Sequence, residues 1–495
     1  MSDRNNKLLP QVLFSDPVEN KGFDCSQDCA CPTHFAYGEN RYTDRKLVKS
    51  RNLRLIPFSQ DYKMALNPDG PICVSMLNEP AVELLHQFHQ ERDVAELQKA
   101  NGINQESVNF SVNRMVRGGL LINGYEDYLQ RNLDSQVLIT WLHLTDRCNL
   151  RCAYCYLPHE KRDLSRDTGF SLLREIFSTA KSKHFSKIQI KYAGGEPLLQ
   201  FSLLQDLHAY ANELSVRSGI TLDEVVLSNG TMISETILTY LTTNYIRLMI
   251  SMDGLDDIHD AQRVYANGKA SSKDVKRAVE LALDYGLKPN ISVTVTNRNL
   301  EGLPLLMRWI LERKLQFNLN FFRQNDFAKD DKDLCFNEQQ LIEGLLECYK
   351  VVEEFLPEQS MLASLADRAN LSTSHLRPCG VGKNYLVFDT NGNLSKCQMK
   401  MDQPVATQPN GHFISAIQNK KGIQNISVDA KEECSQCEWR YWCAGGCPLE
   451  AYNQSGAYNS KSPYCNVYKS IFPEILRLEG LRLIKFAKSE SQFLN

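Results

Sequence analysis

Cysteine dominates the chemistry open to this chain: it has 16, and they are clustered. Cys148, Cys152 and Cys155 lie in TDRCNLRCAYCY, a Cys-x3-Cys-x2-Cys spacing. Three thiolates this close in sequence can face one metal centre. A closed structural zinc site takes four ligands, and a [4Fe–4S] cluster is usually held by four Cys. Three protein ligands leave one iron with an open position, where a small molecule can bind. A chance group of buried thiols is the competing reading. Seven more cysteines follow as Cys379-x17-Cys397, then Cys434-x2-Cys437-x5-Cys443-x3-Cys447, then Cys465. Zinc ribbons are the alternative for this block, although Cys437-x5-Cys443 is a poor ribbon spacing. Cys25, Cys29, Cys31 and His34 match no metal pattern, and ordinary reduced thiols are preferred there. Cys73, Cys335 and Cys348 read as buried small apolar residues.

Three polar motifs accompany the first triplet. Gly194-Gly195-Glu196-Pro197 offers a backbone that a ligand can approach closely and a carboxylate that can accept from an ammonium group. Ser228-Asn229-Gly230-Thr231 offers small hydrogen-bonding groups. The stretch SMDGLDDIHDAQR supplies Ser251, Asp253 and Arg263, and arginine suits a fork-like grip on a carboxylate. Alone, the first two would be turns, and His259–Asp260 reads as a pair that fixes its loop.

These residues need a frame, and the sequence supplies one. Strand-like runs lie at 137–145, 187–192, 224–228, 247–251, 290–295 and 316–321, rich in β-branched residues and bounded by turn signals. Helical stretches such as 170–180 and 272–285 separate them. Alternating strands and helices predict an α/β fold with a parallel sheet, whose ligands collect at the carboxyl ends of the strands. The triplet and the three motifs all follow such runs.

Composition narrows the function classes. Lys plus Arg is 56 and Asp plus Glu 59, a formal charge of −3 over 495 residues. That balance argues against a protein that holds nucleic acid by charge. About three domains fit the length. No run approaches the roughly 20 apolar residues of a membrane span, and the N-terminus lacks a signal-peptide apolar core. A cytoplasmic chain is expected, in which disulfides are disfavoured and metal-held thiolates explain the cysteines.

On these motifs the chain resembles the radical S-adenosylmethionine (radical SAM) enzymes. Cys148, Cys152 and Cys155 match their cluster motif, with Tyr154 in the aromatic position before the third Cys. The resemblance implies a partial (β/α)6 barrel over 135–330. It implies that the open iron is chelated by the amino and carboxylate groups of S-adenosylmethionine (AdoMet), that one electron cleaves AdoMet, and that a 5′-deoxyadenosyl radical abstracts a hydrogen. Gly194, Gly195, Glu196 and Pro197 match the segment that meets the AdoMet amino group. Ser228 and Asn229 resemble ribose contacts, and Ser251, Asp253 and Arg263 contacts to the carboxylate or ribose. The later cysteines match the seven-Cys SPASM extension over 376–470, which implies two auxiliary [4Fe–4S] clusters and three in all. Carried over, Cys379, Cys397 and Cys447 hold the first auxiliary cluster; Cys434, Cys437, Cys443 and Cys465 hold the second. The first set is one ligand short, so an open iron that takes a substrate thiolate, a water or a remote residue would complete it.

Around this core, 1–52 form an N-terminal extension, 331–375 a helical bridge and 471–495 a C-terminal helix. Residues 53–128 read as two or three strands turning at Pro68-Asp69-Gly70, then three helices. Asn78 caps the first helix, the third spans 105–117, and Gly118-Gly119 ends it. This winged-helix pattern, with fragments such as LNEPAVELL and GGLL, resembles the PqqD-like domains that bind the leader of a precursor peptide by adding it as a strand to a sheet edge. A plain packing domain is the alternative.

The implied function is maturation of a ribosomally made precursor peptide, with flavodoxin or ferredoxin as reductant. A thioether cross-link is preferred and a carbon–carbon cross-link comes second; epimerisation and backbone excision are further outcomes. A sulfatase-type maturase, forming formylglycine, is the alternative. In those relatives an Asp that serves as proton acceptor follows the second auxiliary Cys, whereas Gln398 follows Cys397 here and cannot act as a base. An iron–sulfur electron carrier would leave the AdoMet-type motifs without a role.

Overall fold

The computed structural model describes residues 9–15, 46–68, 70–98, 105–123, 136–328, 331–407, 412–419 and 421–490. Cys25, Cys29, Cys31 and His34 lie outside them.

Six parallel strands form the centre: β1 (Val137–His143), β2 (Lys187–Ala193), β3 (Thr221–Ser228), β4 (Arg247–Ser251), β5 (Asn290–Val295) and β6 (Phe317–Phe321). Each pairs with its chain neighbour, so Ile188 of β2 stands beside Leu138 of β1 and Leu222 of β3. Helices α1 (Arg166–Ser182), α2 (Phe201–Ser218), α3 (Glu235–Thr243), α4 (Ser272–Asp284) and α5 (Leu303–Glu312) follow the strands in turn. Short polar caps set where they begin: Ser165 accepts from the Thr168 N–H, and Ser234 from that of Ile237. Gly219, in the left-handed region at φ 71°, ends α2. Leu173 and Ile176 of α1, Leu204 and Leu207 of α2 and Val279 of α4 are buried in one core with the strands. Full burial of each such side chain contributes about 1.5–3 kcal/mol.

The sheet does not stop at β1. A seventh strand, β7 (Tyr385–Phe388), lies parallel to it with Tyr385 beside Ile139, and β8 (Leu394–Ser395) closes the edge antiparallel to β7. Asn384 donates from its side-chain amide to the Val137 carbonyl at 2.8 Å. The hairpin between Cys379 and Cys397 is thereby joined to the sheet that carries Cys148.

The 331–375 segment is helical only in its first half, as α6 (Glu338–Phe355). Leu356 takes a left-handed conformation at φ 38° and Pro357 follows, which stops the helix. The C-terminal helix α7 (Cys465–Glu490) starts earlier than expected, at a cysteine.

The N-terminal region has its own apolar core. Strands Arg54–Pro57, Tyr62–Leu66 and Val74–Asn78 form an antiparallel sheet, followed by helices Glu79–His86, Val94–Gln98 and Gln105–Arg117. Asn78 caps the first helix by accepting from the Ala81 N–H. This region rests on the cysteine-rich part of the chain. Cys73 donates its N–H to the Ser372 carbonyl, and the Trp442 indole donates to the Cys73 thiol. Cys73 and Cys348 are buried, as expected; Cys335 is only partly so and accepts from the Gln324 amide. No helix among the described residues is long and apolar enough to cross a membrane.

Candidate active site

A cavity of about 260 Å³ is lined by the ends of all six barrel strands and by Cys148, Cys152 and Cys155. The loop that carries these thiols is clamped from several sides. Residues Leu150–Cys152 pair antiparallel with Arg263–Tyr265, which sets Arg263 directly opposite Cys152. Asn229 donates to the Asn149 side chain at 2.8 Å, and Asn149 donates to Thr231. Gly195 and Glu196 donate their N–H groups to the carbonyls of Thr145 and Arg147. This close approach explains the two glycines. A Cβ on Gly195 would stand 2.2 Å from the Arg147 oxygen and 2.9 Å from the Cys148 Cβ, and one on Gly194 2.4 Å from the Thr145 oxygen.

The three thiols are free. Burial pushes Cys148 up to about 11 and Cys155 up to about 12, and neighbouring thiolates of the triplet add to both. Without a cation they keep their protons at neutral pH; binding a metal requires losing them. Among the described residues no three His, Cys, Asp or Glu side chains gather tightly enough for a single metal ion. A cubane spreads its ligands over separate irons, so three thiols around one cavity suit it.

Arg263 brings a positive charge to the same cavity. It is 6% exposed, and its Nε has no hydrogen-bond partner. Its Nη1 donates to the Tyr154 hydroxyl and lies 3.5 Å from Asp253. Tyr154 in turn donates to Asp253 at 2.5 Å, and the other Asp253 oxygen accepts from the Thr294 N–H at 2.7 Å. The guanidinium is thus anchored by Tyr154 and Asp253 on a wall beside the thiols, where its positive charge fits an anionic group such as a carboxylate. Ser251 lines the same cavity; Asp253 lies behind it as an anchor.

Glu196 is also placed behind the wall. Its carboxylate accepts from the Asn229 N–H at 2.7 Å, the Ser228 hydroxyl at 3.0 Å and the Leu198 N–H at 3.1 Å. It positions Ser228 and Asn229, which do line the cavity together with Gly194 and Gly195. Burial raises its carboxyl to about 7 against those three donors. Pro197 opens the short 3-10 turn after it and is buried. His259 accepts from the Asp253 N–H, and Asp260 accepts from Ser271 and Ser272, so this pair fixes the loop.

A second cavity adjoins the first, with Arg323, Arg368, Gln398 and Met399 on the walls of both. Cys379, Cys397 and Cys447 line it. Burial pushes Cys379 up to about 12, with Cys447 and Cys397 adding to the shift. Cys434, Cys437, Cys443 and Cys465 form a separate group: burial pushes Cys443 up to about 12, with Cys434, Cys437 and Cys465 contributing to the shift. Between the two groups lies Lys431, 1% exposed, whose ammonium donates to the Gly445 carbonyl at 3.3 Å. Burial lowers its pKa, and the charges of Cys434, Cys443, Cys447 and Cys379 oppose that shift.

Sequence reasoning missed Arg323 and Arg368. Arg323 follows β6 by two residues, so the strand-end rule could have found it. Its Nη2 donates to both oxygens of Asp367 at 2.8 Å, while its buried Nε has no partner. Trp141 was also missed; its indole N–H is buried without a partner on the first cavity.

Residues 142–310 match the model of the Radical SAM superfamily. An uncharacterized protein of Methanocaldococcus jannaschii is 31% identical over 170 residues, which are 34% of this chain and 57% of that protein. The chain therefore spans little more than half of that relative. A cysteine-type anaerobic sulfatase-maturating enzyme of Clostridium perfringens is 24% identical over 357 residues, 66% of this chain and 92% of the relative. Among solved structures, native anSMEcpe with bound AdoMet and Cp18Cys peptide aligns at a TM-score of 0.56 and 21% identity, covering 71% of this chain and 99% of that one. At that identity the likeness shows a shared fold.

Proposed function

We propose that this radical SAM family enzyme binds AdoMet in the first cavity and removes a hydrogen from a precursor peptide, which it then cross-links. The observation that carries the reading is the joining of three free thiols, the buried Arg263 side chain and the polar ends of β3 and β4 on one cavity. Cys148, Cys152 and Cys155 would hold a [4Fe–4S] cluster. Bound there, that cluster supplies the electron that splits AdoMet to methionine and the 5′-deoxyadenosyl radical. Arg263, kept in place by Tyr154 and Asp253, would grip the AdoMet carboxylate. Gly194 and Gly195 would meet its amino group, and Ser228, Asn229 and Ser251 its ribose. Glu196 would act indirectly, by fixing Ser228 and Asn229.

Cys379, Cys397 and Cys447 would hold one auxiliary cluster and Cys434, Cys437, Cys443 and Cys465 another, for three clusters in all. Three donors on a cavity that shares walls with the first suit a site that also takes a substrate thiolate, which favours a thioether; a carbon–carbon bond is second. The peptide class is supported by the C. perfringens relative, named for maturating sulfatases, and by the anSMEcpe structure with bound peptide. Formylglycine formation is less favoured, since Gln398 offers an amide where a base is needed, and Tyr385 already donates to it at 2.9 Å. Residues 53–128 would hold the leader, and flavodoxin or ferredoxin would supply electrons.

The test is anaerobic. The chain with rebuilt clusters, AdoMet and dithionite should release 5′-deoxyadenosine, and co-expression with small peptides encoded beside it should lower one peptide's mass by about 2 Da for a cross-link, by hydrogen bookkeeping. No 5′-deoxyadenosine, or AdoMet cleavage with every peptide unchanged in mass and stereochemistry, would contradict the reading.

A further inference from the structure

Lys431 is a lysine placed where solvent hardly reaches, 1% exposed. Its main chain belongs to the loop that opens the Cys434 group. Its N–H donates to the Val428 carbonyl at 3.2 Å, and its own carbonyl accepts from the N–H groups of Cys434 at 3.0 Å and Ser435 at 2.8 Å. Its side chain crosses to the far end of that group. The ammonium donates to the Gly445 carbonyl at 3.3 Å, and the Gly445 N–H donates to the Cys443 thiol. Gly445 makes room for it. Ala444, Gly445 and Gly446 take left-handed conformations at φ 46°, 76° and 67°, and Cys447 of the other group comes next. A Cβ on Gly445 would stand 2.7 Å from both the Nζ and the Cδ of Lys431. The cradle is shaped for this side chain.

A buried ammonium is costly unless opposite charge answers it. The thiolates that favour the charged form come from both groups: Cys434 and Cys443 of one, Cys447 and Cys379 of the other. Two other cations near these thiols already have carboxylate partners. Arg323 is paired to Asp367 at 2.8 Å, and Lys461, half exposed, to Glu433 at 2.6 Å, where solvent screens the pair. The potential of an iron–sulfur cluster depends on net charge, on hydrogen bonds to its sulfurs and on exposure. Reduction adds one negative charge, and a buried cation stabilises that charge more strongly than one in water.

We propose that Lys431 is a positioning residue shared by the two auxiliary sites, and that its one buried ammonium raises the reduction potential of both clusters together. This rests on the reading that the later thiols hold two clusters, and it deepens that reading by assigning how their potentials are set. An electron entering either cluster adds a negative charge near the ammonium, so no proton has to accompany it. Without the ammonium both clusters become harder to reduce and poorer electron acceptors.

The experiment is a redox titration of the reconstituted full chain, followed by electron paramagnetic resonance, in the parent, Lys431→Met and Lys431→Gln. Met keeps the length without the charge. Gln keeps a donor for the Gly445 carbonyl and loses the charge. Backgrounds with Cys397→Ala or Cys437→Ala let each auxiliary cluster be followed by itself. In both variants the reduction equilibrium of each auxiliary cluster should fall at least ten-fold, or about 59 mV for a one-electron couple. The cluster at Cys148, Cys152 and Cys155 should keep its potential. A packing role alone predicts that Gln restores the parent potentials, and that result overturns the proposal. So do unmoved potentials in both variants, or a shift in one auxiliary cluster only. Loss of both auxiliary clusters from Met and Gln alike overturns it too, in favour of a purely structural part. Iron content separates this from the underlying reading. A parent chain with about four irons, the content of one cluster, refutes the auxiliary clusters and the proposal with them, whereas about 12 irons with unmoved potentials refutes the part of Lys431 alone.

Discussion

Cys148, Cys152 and Cys155 look onto a cavity shared with Arg263, Ser228 and Asn229, whereas Cys434, Cys437 and Cys465 lie near enough to Cys443 for their charges to raise its pKa, with Cys434 packed among Val428, Leu376 and Tyr441. Three donors beside a polar cavity leave room for a small molecule; four donors complete a cluster's protein ligands and leave it to hold or pass electrons. The difference teaches where the chemistry should be sought. It also assigns different losses to what would otherwise be equivalent cysteine substitutions.

The largest effects test that contrast directly. Cys152→Ala should abolish 5′-deoxyadenosine release, by more than about 10³-fold given that the reaction belongs to the bound cofactor. Cys437→Ala should retain AdoMet cleavage and lose modified peptide, both measured by chromatography on reconstituted enzyme. Equal loss of cleavage in the two variants would erase the distinction. Next comes Gly195→Ala. Its methyl would press on the Arg147 carbonyl and the Cys148 Cβ, so iron content should fall by about one cluster while the Cys434 group keeps its own; unchanged iron would show that the loop tolerates the shift.

Smaller changes sharpen the account of the cavity. Arg263→Lys keeps the charge and loses the fork, and should weaken AdoMet binding about 10-fold, or roughly 1.4 kcal/mol, measured by equilibrium dialysis. An unchanged Kd would remove Arg263 from the carboxylate site. The smallest is a pH effect on stability. Burial lifts Glu196 from 4.5 to about 7, so the unfolded chain gives up this proton first. The stability that the protonated carboxyl contributes is complete below about pH 4.5 and is lost as the pH rises through about 7, a difference of at most about 3 kcal/mol. Glu196→Gln should flatten that decline between pH 5 and pH 8 in anaerobic denaturant titrations; an unaltered slope would mean the carboxyl is ionised throughout.

Much of this was legible locally. Runs of β-branched residues marked the six strands, and close spacing grouped Cys148, Cys152 and Cys155, which line one cavity. What the sequence could not show depends on contacts distant along the chain. Nothing near Tyr385 says that it will lie beside Ile139 and extend the barrel sheet. Nothing in GGEP says that Glu196 turns inward to Ser228 and Asn229, because that choice depends on where β3 ends. Arg263 was found by residue type, but its station opposite Cys152 comes from a short antiparallel pairing that no periodicity reveals. The bridge was misjudged for a local reason, the stop at Leu356–Pro357.

The central claim is that the metal centre at Cys148, Cys152 and Cys155 keeps one position free of protein ligands and takes AdoMet there. Electron paramagnetic resonance tests it most directly, on a variant with all seven cysteines from Cys379 to Cys465 replaced by Ala, reduced with dithionite and measured with and without AdoMet. The account predicts a single reduced [4Fe–4S] signal whose g values shift when AdoMet is added. A signal of that type that AdoMet leaves unchanged would contradict it.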